Sequence, residues 1–297
     1  MARRIALVTD STAALPDTTA TAHGVSVVPL HVVVGDEEFT EGVDITSEEI
    51  GTHLRKGPRV STSRPSPMEF LAVYERIAAQ GATGIVSAHI SAQLSGTCEA
   101  ATLAARHSPV PVRVIDSEST GLALGYAVLD ANDAAIEGWG LDGVASLVLR
   151  RARATTVVFY VHTLEFLRRG GRIGAASRLL GGALAIKPIL QLTEGHVEPV
   201  EKCRTAGRAL GRLTTLAIDS ARLTGGRARI AVHHAGAPDR AERLAVDIAR
   251  ELGEEMSVPP QTVALPAVLA AHLGPGAVAV AVAPEVDGGA GVGAPGP

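Results

Sequence analysis

The stretch TGIVSAHISAQLSGTCEAATLAAR, residues 83–106, decides the fold. TGIVSAH is a short β-branched and aliphatic run, and the alanine-rich segment from Ser95 to about Arg106 reads as a helix. A strand that turns directly into a helix is half of a β-α-β unit. The same alternation continues on either side. RIALVTD and VRVID, which ends at Asp116, are further strands, and a long helical region runs through Leu149. SPMEFLAVYERIAAQG is a helix with Ser66 as N-cap, Pro67 in the first turn, Glu69 completing a capping box and Gly81 at its end. Such order predicts a mostly parallel sheet covered by helices.

VSVVPLHVVV reads as another strand, and the GDE turn before EFTEG as a hairpin. A second unit starts at TTVVFYVH. It continues through TLEFLRRGGRIGAASRLLGG, where paired glycines interrupt the helical pattern, and through KPILQLTEGHVEPVEKCR, a hairpin turning at Glu194 and Gly195. A helix, the strand RARIAVHH, a helix from near Pro238 and the strand GAVAVAVAP complete it. The expectation is an α/β protein of two α/β domains, residues 1–155 and 156–284. The segment 285–297, EVDGGAGVGAPGP, has little to bury and is expected to be disordered.

Composition narrows the function. Of 297 residues, 46% are apolar and 20% charged, and the net charge of -4 points to no nucleic-acid partner. The run AVAVAVAP is far short of the ~20 residues a membrane helix requires, so no integral membrane association is expected. No signal peptide is read at MARRIALVTD, and Cys98 and Cys203 suggest neither a disulfide framework nor a thiolate metal site. These features fit a cytoplasmic protein. Neither G-x-G-x-x-G after a strand nor G-x-x-x-x-G-K-[ST] occurs, so the usual nucleotide cradles are missing. H-E-x-x-H is also missing, and His233 and His234 point to opposite faces of a strand, so no metal is expected. Ser95 does not sit in the G-x-S-x-G of an α/β hydrolase.

Three hydroxyl clusters remain: VTDST at 8–12, STS at 61–63 and SAQLSGT at 91–97. Each falls at a strand end or helix start, where ligands of parallel α/β sheets bind. The side chains serve there as ordinary helix caps or as uncharged donors to an anion. Gly96 beside Ser95 permits close backbone approach. His272 precedes the tight G-P-G loop at 274–276, which holds its imidazole in place.

VTDSTAALP, VVPLHVVVGDEEFTEGVDIT, STSRPSP, SAHISAQLSGTCEAA, VIDSESTGLALG, LEFLRRGGRIG, IKPIL and HLGPGAVAV, in that order from about Ile5 to about Val282, resemble the DegV family. That family includes the fatty-acid-binding subunit of bacterial fatty acid kinase. The resemblance implies two α/β domains with a ligand tunnel between them. The ligand would be a long-chain fatty acid, with no cofactor, and its carboxylate would be held by Thr62, Ser95 and His272. It also implies a non-catalytic subunit that presents the acid to a separate ATP-dependent kinase catalytic subunit for acyl phosphate formation in phospholipid metabolism. Arg204 is implied at the kinase-facing surface. The family motif carries a threonine where this chain has Leu273. The alternative is a stand-alone acyl ester or thioester hydrolase with Ser95 as nucleophile and His272 as base.

Overall fold

Pro29 divides what reads as one strand. The computed structural model describes residues 4–57, 59–179 and 186–285. Within them the chain opens with β1 (Ile5–Asp10), α1 (Asp17–His23) and β2 (Ser26–Val28), then forms β3 (His31–Val34), β4 (Glu37–Thr40), α2 (Ser47–Lys56) and β5 (Val60–Ser63). Next come α3 (Pro67–Ala79), β6 (Gly84–His89), α4 (Thr97–Ala105), β7 (Val112–Asp116), α5 (Leu122–Ile136) and α6 (Leu141–Ala154). The remainder is β8 (Thr156–Tyr160), α7 (Glu165–Arg169), β9 (Lys187–Thr193), β10 (His196–Cys203), α8 (Ala206–Leu223), β11 (Ala228–His234), α9 (Pro238–Leu252), β12 (Gln261–Ala264), α10 (Ala267–Leu273) and β13 (Val278–Pro284).

The chain is α/β and forms two compact units. The first comprises residues 4–29 and Arg64–Ala154, the second Leu30–Ser63 and Thr155–Glu285. A linear cut at residue 155 places Leu30–Ser63 with the first domain, whereas these residues pack within the second unit. The strand break is local. Pro29 has no N–H for a ladder and a fixed φ, so VSVVPLHVVV cannot run as one strand. β2 stays beside β1, and β3 pairs antiparallel with β4 and β5 instead. The expected tail lies, after Glu285, outside the described residues, as do residues 180–185 of the glycine-rich stretch.

The first unit holds a four-stranded parallel sheet in the order β2-β1-β6-β7. Leu7 pairs with Val86, and both face α5 and α6 with Leu124 and Val148. Val8 and Ile85 face the other way, onto Phe70 and Tyr74 of α3 and the alanines of α4. Burial on both faces explains why these strands read as continuous apolar runs. The capping box of α3 is present: Ser66 Oγ accepts from Glu69 N–H, and the Glu69 carboxylate accepts from Ser66 N–H at 2.7 Å. α4 differs from expectation. It begins at Thr97, its N-cap is Gly96, and no side chain caps it, so Ser95 is not the helix cap.

The second unit carries a six-stranded sheet, β10-β9-β8-β13-β11-β12, antiparallel except for β11 with β12. Its hairpin turns at Glu194 and Gly195, with φ of 49° and 80°, the paired left-handed conformation a two-residue turn requires. Val158, Tyr160, Val232 and Val280 bury one sheet face against α8 and α9. A three-stranded sheet, β4-β3-β5, belongs to the same unit.

Candidate functional site

Thr62 lies in β5 opposite Val32 of β3, so its position is set by backbone pairing. His272 lies in the last turn of α10, a seven-residue helix packed against α2, α7, β3 and β5. A helix this short is not stable on its own. Glu41 ties its first turn down: the Val268 N–H donates to Glu41 Oε1 at 2.9 Å, and both residues are buried. The outcome is that Thr62 Oγ1 stands 2.8 Å from His272 Nε2, across 210 residues of sequence.

Two glycines make room for that ring. A Cβ on Gly170 would overlap the His272 imidazole at Nδ1. Gly274, with φ of 80°, sits against the Phe166 ring, and a Cβ there would overlap it. Gly170, the first of the paired glycines in LEFLRRGGRIG, thus leaves room for the imidazole, and Gly274, the first glycine of G-P-G, leaves room for the Phe166 ring, whereas a Cβ on Gly171 would meet nothing within 4 Å. Arg172 donates from Nη1 to the Gly170 carbonyl at 2.6 Å. Burial, and then the charge of Arg172, hold the His272 imidazole down at about 4, well below its ordinary range. It is therefore neutral at pH 7, and within the Thr62 pair one hydroxyl and one ring nitrogen share a proton.

Ser95 belongs to the first unit, in the loop between β6 and α4. Ser91 organises that loop: its carbonyl accepts from Leu94 N–H at 2.9 Å and from Ser95 N–H at 3.1 Å, and its Oγ accepts from Gln93 N–H at 3.1 Å. Asp116 Oδ1 at the end of β7 accepts from Ala92 N–H at 3.1 Å. Ser95 Oγ shares a 2.8 Å hydrogen bond with Thr97 Oγ1. The two hydroxyls can rotate together to present one donor outward.

Beneath the loop runs a buried chain that the residue pattern did not reveal. Tyr74 OH donates to Ser87 Oγ at 2.8 Å, which directs the Ser87 proton to His89 Nε2 at 2.7 Å. His89 Nδ1 then donates to Asp10 Oδ2 at 3.0 Å. The Asp10 carboxylate also accepts from the N–H groups of Ile90 at 2.9 Å and Thr12 at 3.0 Å and from the Thr12 hydroxyl at 2.5 Å. Ser87, His89 and Asp10 stand in the order of a hydrolase triad, yet each is 0% exposed, so no substrate reaches them. Their product is mechanical: Asp10 clamps the carboxyl ends of β1 and β6, where the Ser95 loop starts. The alternation of strand residues could have placed Ser87 and His89 on one face, but nothing local in VTDST identifies Asp10 as their partner.

Arg204 is exposed between the end of β10 and Thr205, the N-cap of α8. Among the described residues no group of three or more His, Cys, Asp or Glu side chains could hold a metal ion, and no helix is long and apolar enough to cross a membrane.

The ordered motifs and the two-unit α/β fold coincide with one known family. The model described as "Uncharacterised protein, DegV family" matches residues 4–285. The chain belongs to the DegV family. A DegV domain-containing protein of Streptomyces coelicolor is 48% identical over 282 residues, covering 95% of this chain and 99% of that protein. One from Mycobacterium tuberculosis is 37% identical over 283 residues, covering 94% and 96%. Among solved structures, a DegV family protein from Thermus thermophilus described for its fatty acid binding superposes with a TM-score of 0.88 at 37% identity, covering 95% of this chain and all of that one. DegV from Bacillus subtilis, described as a fatty acid binding protein, gives 0.87 at 28% identity, covering 96% and 100%. In this DegV protein the threonine and histidine singled out from sequence meet directly, as described above.

Proposed function

We propose that this DegV protein binds a long-chain fatty acid, holds its carboxylate with Thr62, Ser95 and His272, and presents it to a separate ATP-dependent kinase subunit that forms the acyl phosphate. The observation that carries the reading is the 2.8 Å pairing of Thr62 Oγ1 with a neutral His272 Nε2. If the ring donates from Nε2, the Thr62 hydroxyl keeps its own proton for the ligand, so an uncharged pair offers an acid head a polarised donor. Fatty acid binding by the Thermus and Bacillus relatives supports the ligand class.

Burying roughly fourteen methylenes at ~0.8 kcal/mol each gives about 11 kcal/mol of gross drive. Hydrogen bonds to a charged carboxylate add about 1.5–3 kcal/mol apiece before desolvation. The hydrocarbon thus supplies most of the affinity and the polar groups set the orientation of the attacking oxygen. Placement of that oxygen is the protein's share of the reaction, and the kinase subunit supplies nucleotide and metal. Arg204 is assigned to contact with the kinase subunit, and the setting is the cytoplasm.

The test is extraction of the purified protein followed by mass spectrometry of co-purified lipid, with uptake of palmitate measured on the delipidated protein. Bound acid, and acyl phosphate formed only when a kinase subunit and ATP are added, support the proposal. No acid and no uptake would overturn it, and turnover of acyl esters by the protein alone that is abolished by Ser95→Ala would establish a hydrolase instead.

A further inference from the structure

Arg64 follows the STS cluster directly, and in the first unit its guanidinium packs against Gly96, next to Ser95. Nη1 donates to the Gly96 carbonyl at 3.1 Å and to Glu99 Oε2 at 2.5 Å. The seat is so close that a Cβ on Gly96 would overlap Nη1. Turn geometry does not call for a glycine here, since the φ of -76° is ordinary for any residue, and a Cβ would displace the guanidinium from this seat.

Both contacts use one nitrogen. Among the described residues the Nε and Nη2 groups of Arg64 make no hydrogen bond or ion pair. Those two groups form the edge of a guanidinium that matches the two oxygens of a carboxylate. The ion pair to Glu99 is solvated, with the side chains 45% and 68% exposed, and such pairs hold a side chain loosely.

We infer that Arg64 is a head-group recognition residue: Glu99 and the Gly96 carbonyl hold its guanidinium beside Ser95 so that the free Nε–Nη2 edge receives the carboxylate of an acid bound there. This rests on the proposal that Ser95 holds an acid head group, and adds a charged donor, part-balanced by Glu99, to a site otherwise built of neutral ones. Selection between an acid and an uncharged lipid of equal length then comes from Arg64, because hydroxyls bind either.

Equilibrium binding of palmitate and of hexadecanol to delipidated wild type, Arg64→Gln, Arg64→Lys and Glu99→Gln tests it, with melting temperatures as a control on folding. The expected result is that Arg64→Gln weakens palmitate by about tenfold or more while hexadecanol stays within about twofold. Arg64→Lys, which lacks the fork, and Glu99→Gln, which loses one of the two contacts that hold the guanidinium in place, both fall between wild type and Arg64→Gln. Palmitate affinity within twofold in Arg64→Gln would overturn the inference and leave the fatty acid reading intact. Equal weakening of both ligands would also overturn it, by showing that Arg64 acts through packing of the loop. Wild type that takes up neither ligand would sink both readings together.

Discussion

Thr62 Oγ1 and His272 Nε2 are separated by 210 residues in sequence and by 2.8 Å in space. One residue is placed by strand pairing and the other by a seven-residue helix pinned at its start by Glu41. Each half of the pair fixes the rotamer of the other. Thr62→Val and His272→Phe should each weaken palmitate binding by about tenfold, and the double variant should lose little more than either single one. Titration calorimetry on the four proteins of the cycle checks this, and fully additive losses would show that the two side chains act independently.

Two histidines of the second unit make stability depend on pH. Burial holds both His272 and His233 down at about 4, assisted by the charges of Arg172 and His234 respectively, against an ordinary value of 6.5. Below 6.5 the unfolded chain takes up protons that the folded chain does not, so stability falls as pH drops from 6.5 toward 4 and this contribution levels off below. For His233, 3% exposed, the effect is on the order of 3 kcal/mol. Thermal melts between pH 7 and pH 4.5 should show the decline, and the margin of wild type over His233→Gln should shrink across the same interval.

The glycines around His272 should be intolerant of a methyl group. Gly170→Ala forces the imidazole to move, and Gly274→Ala meets the Phe166 ring in a backbone conformation, φ 80° and ψ 166°, that is essentially reserved for glycine and costs other residues about 1–3 kcal/mol. Both variants should lose about 1–3 kcal/mol of stability. Gly207→Ala, where a Cβ meets nothing within 4 Å, should stay within about 0.5 kcal/mol of wild type. Denaturant unfolding of the three separates a packing effect from a general sensitivity to alanine.

The Asp10 clamp should rank among the costliest single deletions in the first unit. Asp10→Ala leaves His89, Thr12 and the Ile90 N–H without their acceptor in a fully buried setting, for an expected loss of about 3–5 kcal/mol. Tyr74→Phe removes only the outermost donor, and about 1 kcal/mol is expected. Hydrogen exchange at Ile90 should rise in the first variant and stay near wild type in the second.

Much of this architecture is legible in the residues. The β-α alternation, the Ser66 and Glu69 capping box and the turn at Glu194 and Gly195 are local signals with local causes. Three features were not readable, for one common reason. Leu30–Ser63 belongs to the second unit because α2, β3 and β5 pack against α10, far along the chain, with Glu41 bonded to its first turn, and nothing local in either stretch encodes that pairing. The seat of Gly96 under Arg64 depends on a residue 32 positions away. The Asp10 and His89 pair spans 79 positions. Of the candidate residues, Thr62 and His272 could be named from pattern and resemblance, but the glycines and Phe166 that shape the ring's seat become visible only in three dimensions.

The excursion of Leu30–Ser63 out of the first unit and back has a consequence for how this chain can be cut or recombined. The polypeptide passes from one unit to the other at 29/30, again at 63/64 and again at 154/155. A single nick at any one of these junctions leaves the halves covalently joined elsewhere, and a gene fragment starting at 155 encodes α10 without the carboxylate that anchors it or the strand that carries Thr62. Neither half exists as a cassette that could be exchanged between relatives, so the threonine and the histidine must be inherited as one piece.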